Sequence, residues 1–256
     1  MLLTIDVGNS NLVAVVYDDR RNRVFDERIV TQKQNVIVYY DNWLIQLLAK
    51  MNHLNAIEGV IFSSVVPSIT DDIVEIIRSK THLDPMIVSA DLLSEFVVHL
   101  EQRNHLGADF IATSYGAMAD YPLPAIVADL GSATKISVLN AKGEFEGGVI
   151  VPGVGISVEA LVGFIRHLPE IELKVPEKVI GKNTILAMQS GLLYGVIASV
   201  EGLADRIENE LGQPITRLLT GGYAKIVHEH MPKFIYDEFL LNNGLYEIYQ
   251  MKRGNL

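Results

Sequence analysis

The chain opens with an apolar run, LLTID at residues 2–6, that is cut by Gly8-Asn9-Ser10 and resumes as NLVAVVYD. After the polar turn Asp18-Asp19-Arg20-Arg21-Asn22 it resumes again as RVFDERIV. Short apolar runs separated by turn residues predict three consecutive strands. From Val36 to Met51 the period changes: Val38, Trp43, Leu44, Leu47 and Leu48 fall near helical spacing and predict a helix. GVIFSSVVP then predicts a short buried strand stopped by Pro67, SITDDIVEIIRSK a helix capped by Ser68, and DPMIVS a further strand.

The pattern then restarts. AIVADLGSATKISVLNAKGEFEGGVIV repeats the opening: an apolar strand ending in Asp129, the turn Gly131-Ser132, a second strand, a turn at Asn140 to Gly143, and a third strand. Asp6 and Asp129 are therefore counterparts. A helix from about Thr184 to Leu211, a strand ITRLLT, the turn Gly221-Gly222 and a closing helix through Tyr249 complete the reading. Two such units predict a duplicated α/β protein with lobes 1–120 and 121–256, each a mixed sheet flanked by helices. A cleft between them is expected to hold both aspartates.

Composition narrows the function classes. Of 256 residues 49% are hydrophobic and 20% charged, the balance of a folded soluble protein, and no apolar run reads as a membrane span. The N-terminus lacks a signal-peptide pattern, and a cytoplasmic location is expected. Without cysteine there is no disulfide, thiolate metal site or cysteine nucleophile. A formal charge of −10 argues against a nucleic-acid partner, which needs a basic face.

The two hairpins carry the candidate chemistry. In a turn rich in Gly and small polar residues, backbone N–H groups can approach a phosphate without a Cβ in the way. An Asp just before such a turn can hold Mg²⁺, directly or through water, and that ion can bridge phosphate oxygens. Either Asp-x-Gly alone reads equally as an ordinary turn. The pair, in matching strand contexts, points to phosphoryl transfer.

This arrangement resembles the acetate-kinase, sugar-kinase, heat-shock-chaperone and actin superfamily, with its ribonuclease H-like lobes. The ordered set DVGNSN, SSVVP, GAD (107–109), DLGSAT, GGVIVPG, NTILAMQSG and LTGGYA is similar to that of the type III pantothenate kinase family. The resemblance implies ATP-dependent phosphorylation of pantothenate to 4′-phosphopantothenate, the first step of coenzyme A biosynthesis. It places ATP against Asp6, Val7, Gly8, Asn9, Ser10, Asn11, Leu12, Val13 and Ser132. It assigns Asp109 as the general base that takes the acceptor's proton, and Asp129 as ligand to a monovalent cation, potassium or ammonium. Substrate contacts are implied at Leu100, Gly107, Ala108, Asp109, Phe110 and Thr184, whose residue-level alternative is a helix cap. It also implies ATP with Mg²⁺ and a homodimer paired through the long helix.

The chain departs from the family pattern on the substrate side. The family's Tyr-x-Asn-Pro is replaced by Leu100-Glu101-Gln102-Arg103, and the Arg after Gly-Ala-Asp by Phe110. Arg103 and His105 are the candidate replacements for that lost cation. Lys135 and Ser137 stand where the family carries Thr and Asp, and Lys135 is expected either to offset the charge of Asp129, making the monovalent cation dispensable, or to reach solvent. A divergent paralogue with altered acceptor, or a nucleotide-binding regulatory protein, is the alternative function.

Overall fold

The computed structural model describes residues 1–51 and 57–254. Two compact units account for them: 1–96 with 101–119 and 240–256 form one, and 97–100 with 120–239 the other. Each contains a five-stranded sheet of the same topology.

In the first unit, β1 (Leu2–Val7), β2 (Asn11–Tyr17) and β3 (Arg23–Val30) form an antiparallel meander. The helix α1 (Val36–Lys50) leads to β4 (Gly59–Ser64), which pairs parallel with β1, and α2 (Pro67–Thr81) to the short β5 (Met86–Ile87) beside β4. Alternation sends Leu3, Ile5 and Val7 of β1, with Leu12, Ala14 and Val16 of β2, into one core. The helical stripe Tyr40, Trp43, Leu44, Leu47 of α1 and the stripe Ile69, Ile73, Ile76, Ile77 of α2 close it. Each such burial contributes about 1.5–3 kcal/mol before entropy is counted. The expected Ser68 cap is not formed: α2 starts at Pro67, whose missing N–H and fixed φ suit the first helical position, and Val66 occupies the cap position. The Oγ of Ser64 takes the Val66 amide instead, at 3.1 Å.

The opposite sheet face is covered by α7 (Leu240–Arg253), against which α3 (Ala108–Asp120) packs. Chain order assigns this closing helix to the second half, but it packs on the first sheet. Asn242 donates to Thr4 Oγ1 at 3.0 Å, and the hydroxyl of Tyr17 donates to Asn243 at 2.8 Å. A Cβ on Gly244 would come within 1.8 Å of the Ala112 carbonyl oxygen, so the α3–α7 crossing exists only because that position is glycine.

In the second unit β6 (Ala125–Leu130), β7 (Ala133–Leu139) and β8 (Phe145–Pro152) repeat the meander. They are followed by α4 (Val154–Phe164), α5 (Thr184–Leu211), β9 (Thr216–Thr220), the short α6 (Ala224–Val227) and β10 (Ile235–Tyr236). Strand β9 lies parallel to β6. Ile126, Ala128 and Ile136 pack against Leu193, Ile197, Val200 and Ala204 of α5. Contrary to the sequence expectation, α5 is long and apolar enough to cross a membrane, 28 residues with a mean hydropathy of 1.3 in its most apolar window. Its apolar stripe serves this core.

Candidate nucleotide and acceptor site

Both glycine-rich hairpins form as tight turns, but with different lengths. In the first, Val7 pairs with Leu12 and the amide of Gly8 donates to the Asn11 carbonyl at 2.9 Å. Asn9 and Ser10 are exposed at the tip. Thr31 braces the turn from beside it, its hydroxyl donating to the Gly8 carbonyl at 2.7 Å, and Lys33 Nζ donates to Asn9 Oδ1 at 3.2 Å. In the second, Leu130 pairs with Thr134 and the Gly131 amide donates to the Ala133 carbonyl at 3.2 Å. The second loop is one residue shorter, which changes what faces each aspartate.

Asp6 lies opposite Val13 on β2 and beside Ser63 on β4. Asp129 lies opposite Lys135 on β7 and beside Thr220 on β9. Ser63 and Thr220 are buried hydroxyls at equivalent places, and Ser63 Oγ has no protein hydrogen-bond partner. They lie in SSVVP and LTGGYA, where the signal is a hydroxyl at the C-terminal end of each strand that pairs parallel to an Asp-bearing strand.

Around Asp129 the packing is close. A Cβ on Gly221, at φ +96, would sit 2.3 Å from Asp129 Oδ1, and a Cβ on Gly153 would sit 2.1 Å from the Ser132 carbonyl oxygen. Gly221 thus supplies both a left-handed conformation and room. The remaining carboxylate oxygen, Oδ2, is 2.9 Å from Lys135 Nζ, and both side chains are largely buried. Lys135 is turned onto Asp129 rather than extended into solvent, its side chain 18% exposed.

The carboxylate and hairpin at Asp6 fit a hard divalent ion held near phosphates: an oxygen donor stands beside a turn whose backbone can approach closely. The donor set at Asp129 does not fit a monovalent cation in the same way. One oxygen is packed against Gly221 and the other is already bound by an ammonium group.

Asp109 sits in the first turn of α3 and is buried. Its Oδ1 accepts the Phe110 amide at 2.9 Å, and Thr113 Oγ1 donates to its carbonyl at 2.8 Å. A Cβ on Gly107 would meet Oδ1 at 2.5 Å, so Gly107 leaves space for the carboxylate. The segment leading to it is pinned. Arg103, in the 3-10 turn Arg103–His105, donates through Nη2 to the carbonyls of Ala90 and Leu93 at 3.3 and 2.5 Å. Lys252 pairs with Glu95 at 2.7 Å and holds that carboxyl below its usual range. Phe96 packs on Tyr115 with centroids 5.4 Å apart, and burial pushes the Tyr115 phenol up to about 12. Arg103 thus holds the 90–93 backbone through Nη2, and His105 is exposed.

Asp6, Asp109 and Phe110 belong to one unit; Leu100, Asp129, Ser132 and Thr184 belong to the other. Leu100 follows a short segment held on β8, where the Phe145 amide donates to Val97 and the His99 amide to Phe145, both at 2.9 Å. Thr184 is the first residue of α5 and not its cap. Asn183 caps the helix, its Oδ1 accepting the Leu186 amide at 2.9 Å, and Thr184 is exposed. Thr184 lines an open groove of about 770 Å³ with Leu161, Leu168, Lys182 and Met188.

Comparison with known proteins shows the family. The family model for type III pantothenate kinase matches residues 2–206. A type III pantothenate kinase from an Exiguobacterium species is 38% identical over 252 residues, covering 98% of both chains. One from Phenylobacterium zucineum is 37% identical over 258 residues, covering 99% of both. Among solved structures, (R)-2-hydroxyglutaryl-CoA dehydratase component A of Acidaminococcus fermentans superposes with a TM-score of 0.60 at 12% identity, covering 100% of this chain and 99% of its own. That likeness places the fold in the actin-like class expected from the duplicated hairpins. The chain belongs to the type III pantothenate kinase family.

Proposed function

We propose that this chain transfers the terminal phosphoryl group of ATP to the primary hydroxyl of pantothenate, giving 4′-phosphopantothenate and ADP at the entry to coenzyme A biosynthesis. The observation that carries the reading is Asp109: a buried carboxylate at the start of α3, in a chain of this family. A carboxylate brought within hydrogen-bond reach of the acceptor hydroxyl can take its proton as the phosphoryl group arrives. As the acceptor oxygen bonds to the γ-phosphorus, its proton passes to Asp109 and the bond to the β-phosphate oxygen breaks, releasing ADP. The family resemblance assigns residues 6–13, and separately Ser132, to the ATP phosphates, for which the exposed Asn9-Ser10 turn offers amide and hydroxyl donors. Asp6 would hold Mg²⁺, which neutralises charge developing on the phosphoryl oxygens. A coupled assay for ADP release with pantothenate, ATP and Mg²⁺ tests the reading, and nucleotide binding without pantothenate-dependent ADP release would favour the regulatory alternative.

Pantothenate is a carboxylate, and Phe110 stands where the family carries an Arg. Because Arg103 is engaged by backbone carbonyls, we assign the anion-receiving role to Lys182, which shares the groove with Thr184. Gly107, Ala108 and Phe110 of the first unit, and separately Leu100 of the second, are the further acceptor contacts that the family resemblance implies.

The active form is proposed to be a homodimer joined through the second unit. Supporting it are exposed apolar side chains on α4, on the segment before α5 and on its first turn: Phe164 is 90% exposed and Ile180 73%, with Ile156, Val179 and Ile185 also exposed. A surface of this kind is complementary to its own copy about a two-fold axis.

A further inference from the structure

The two hairpins carry the same aspartate but not the same neighbour. Opposite Asp6 the chain places Val13; opposite Asp129, where the loop is one residue shorter, it places Lys135, with Nζ 2.9 Å from Oδ2. The side chains of this pair are 18% and 17% exposed, so the contact is shielded and little screened by salt. A solution cation coming to Asp129 would meet an ammonium already in place on Oδ2.

Lys135 is held from its own strand by the register to Ile150 on β8, and Ser137 lies on the same face two residues on, also buried. The position is thus built rather than adopted by a loose surface lysine. A lysine ammonium is a compact point charge with three donors, the closest side-chain equivalent of a bound monovalent ion.

We infer that the Lys135 ammonium is a built-in replacement for a monovalent cation at Asp129, so that nucleotide binding by this chain is independent of potassium. The inference rests on the proposed nucleotide site, and its test is arranged so that the two can fail separately.

Affinity for a non-hydrolysable ATP analogue with Mg²⁺ is measured by calorimetry in potassium chloride and in tetramethylammonium chloride, each at about 0.1 M so that screening is equal. The unaltered protein should bind equally in both salts. Binding that depends on potassium overturns the inference, and this arm needs no variant to fold. Lys135→Thr, which restores the family's residue, should lose about tenfold or more in tetramethylammonium, the scale of removing one member of a shielded charge pair, and recover in potassium. A Lys135→Thr protein that binds like the unaltered one in both salts also overturns it. Potassium-independent binding without phosphoryl transfer to pantothenate in either salt would support the cation inference and defeat the kinase reading alone.

Discussion

Asp109 accepts a hydrogen bond from the amide of Phe110, the residue that follows it, at 2.9 Å. The contact ties the proposed base to the very position at which this chain departs from its family. The buried carboxylate is thus oriented at least in part by the backbone of its own helix, through Oδ1.

Arg103 should prove structural. Arg103→Ala removes the donor to the Ala90 and Leu93 carbonyls and is expected to cost about 1–3 kcal/mol, the scale for charged hydrogen bonds. A thermal melt should show the loss, while the pantothenate KM of the folded variant stays within about twofold of the parent. A sharp rise in KM with an unchanged melting temperature would return Arg103 to the acceptor site.

Lys182 should behave in the opposite way. It is exposed in the groove beside Thr184, so Lys182→Met is expected to leave stability unaltered. It should raise the pantothenate KM by about tenfold or more while the ATP KM holds, as befits a lost charge partner for a carboxylate. Steady-state kinetics with each substrate varied in turn decides the matter.

The apolar surface on the second unit predicts a dimer in solution. Light scattering at micromolar concentration should give twice the chain mass, and Phe164→Glu, which buries a charge in the proposed contact, should give a monomer. A monomeric parent protein would refute the assignment.

Much of this was legible in the chain. The duplication was readable because each hairpin couples period-two apolar strands to Asp-x-Gly, and α1 because its stripe has a single period. What escaped depended on contacts distant in sequence. The closing helix reads as amphipathic from its own residues, but nothing local says that Asn242 will bond Thr4. Strand alternation could place Lys135 and Ser137 on one face; only the three-dimensional register, set by the shorter turn, puts Lys135 against Asp129. Helix α4 was missed because it is apolar on every side with only Val154 buried, so it shows no helical stripe. The Arg103 bonds to the Ala90 and Leu93 carbonyls were not legible either, since a basic residue before a catalytic loop looks the same whether it serves a ligand or a carbonyl.

The central claim is that this chain phosphorylates pantothenate with Asp109 as the base, and the most direct test is phosphorus NMR of the reaction of pantothenate, ATP and Mg²⁺ with the parent and with Asp109→Asn. Asparagine keeps an oxygen to accept the Phe110 amide, so the variant should fold and bind ATP. The account predicts a phosphate monoester of pantothenate with the parent, formed about 10²-fold or more slowly by the variant. No phosphorylated pantothenate from the parent, or equal rates from both proteins, would contradict it.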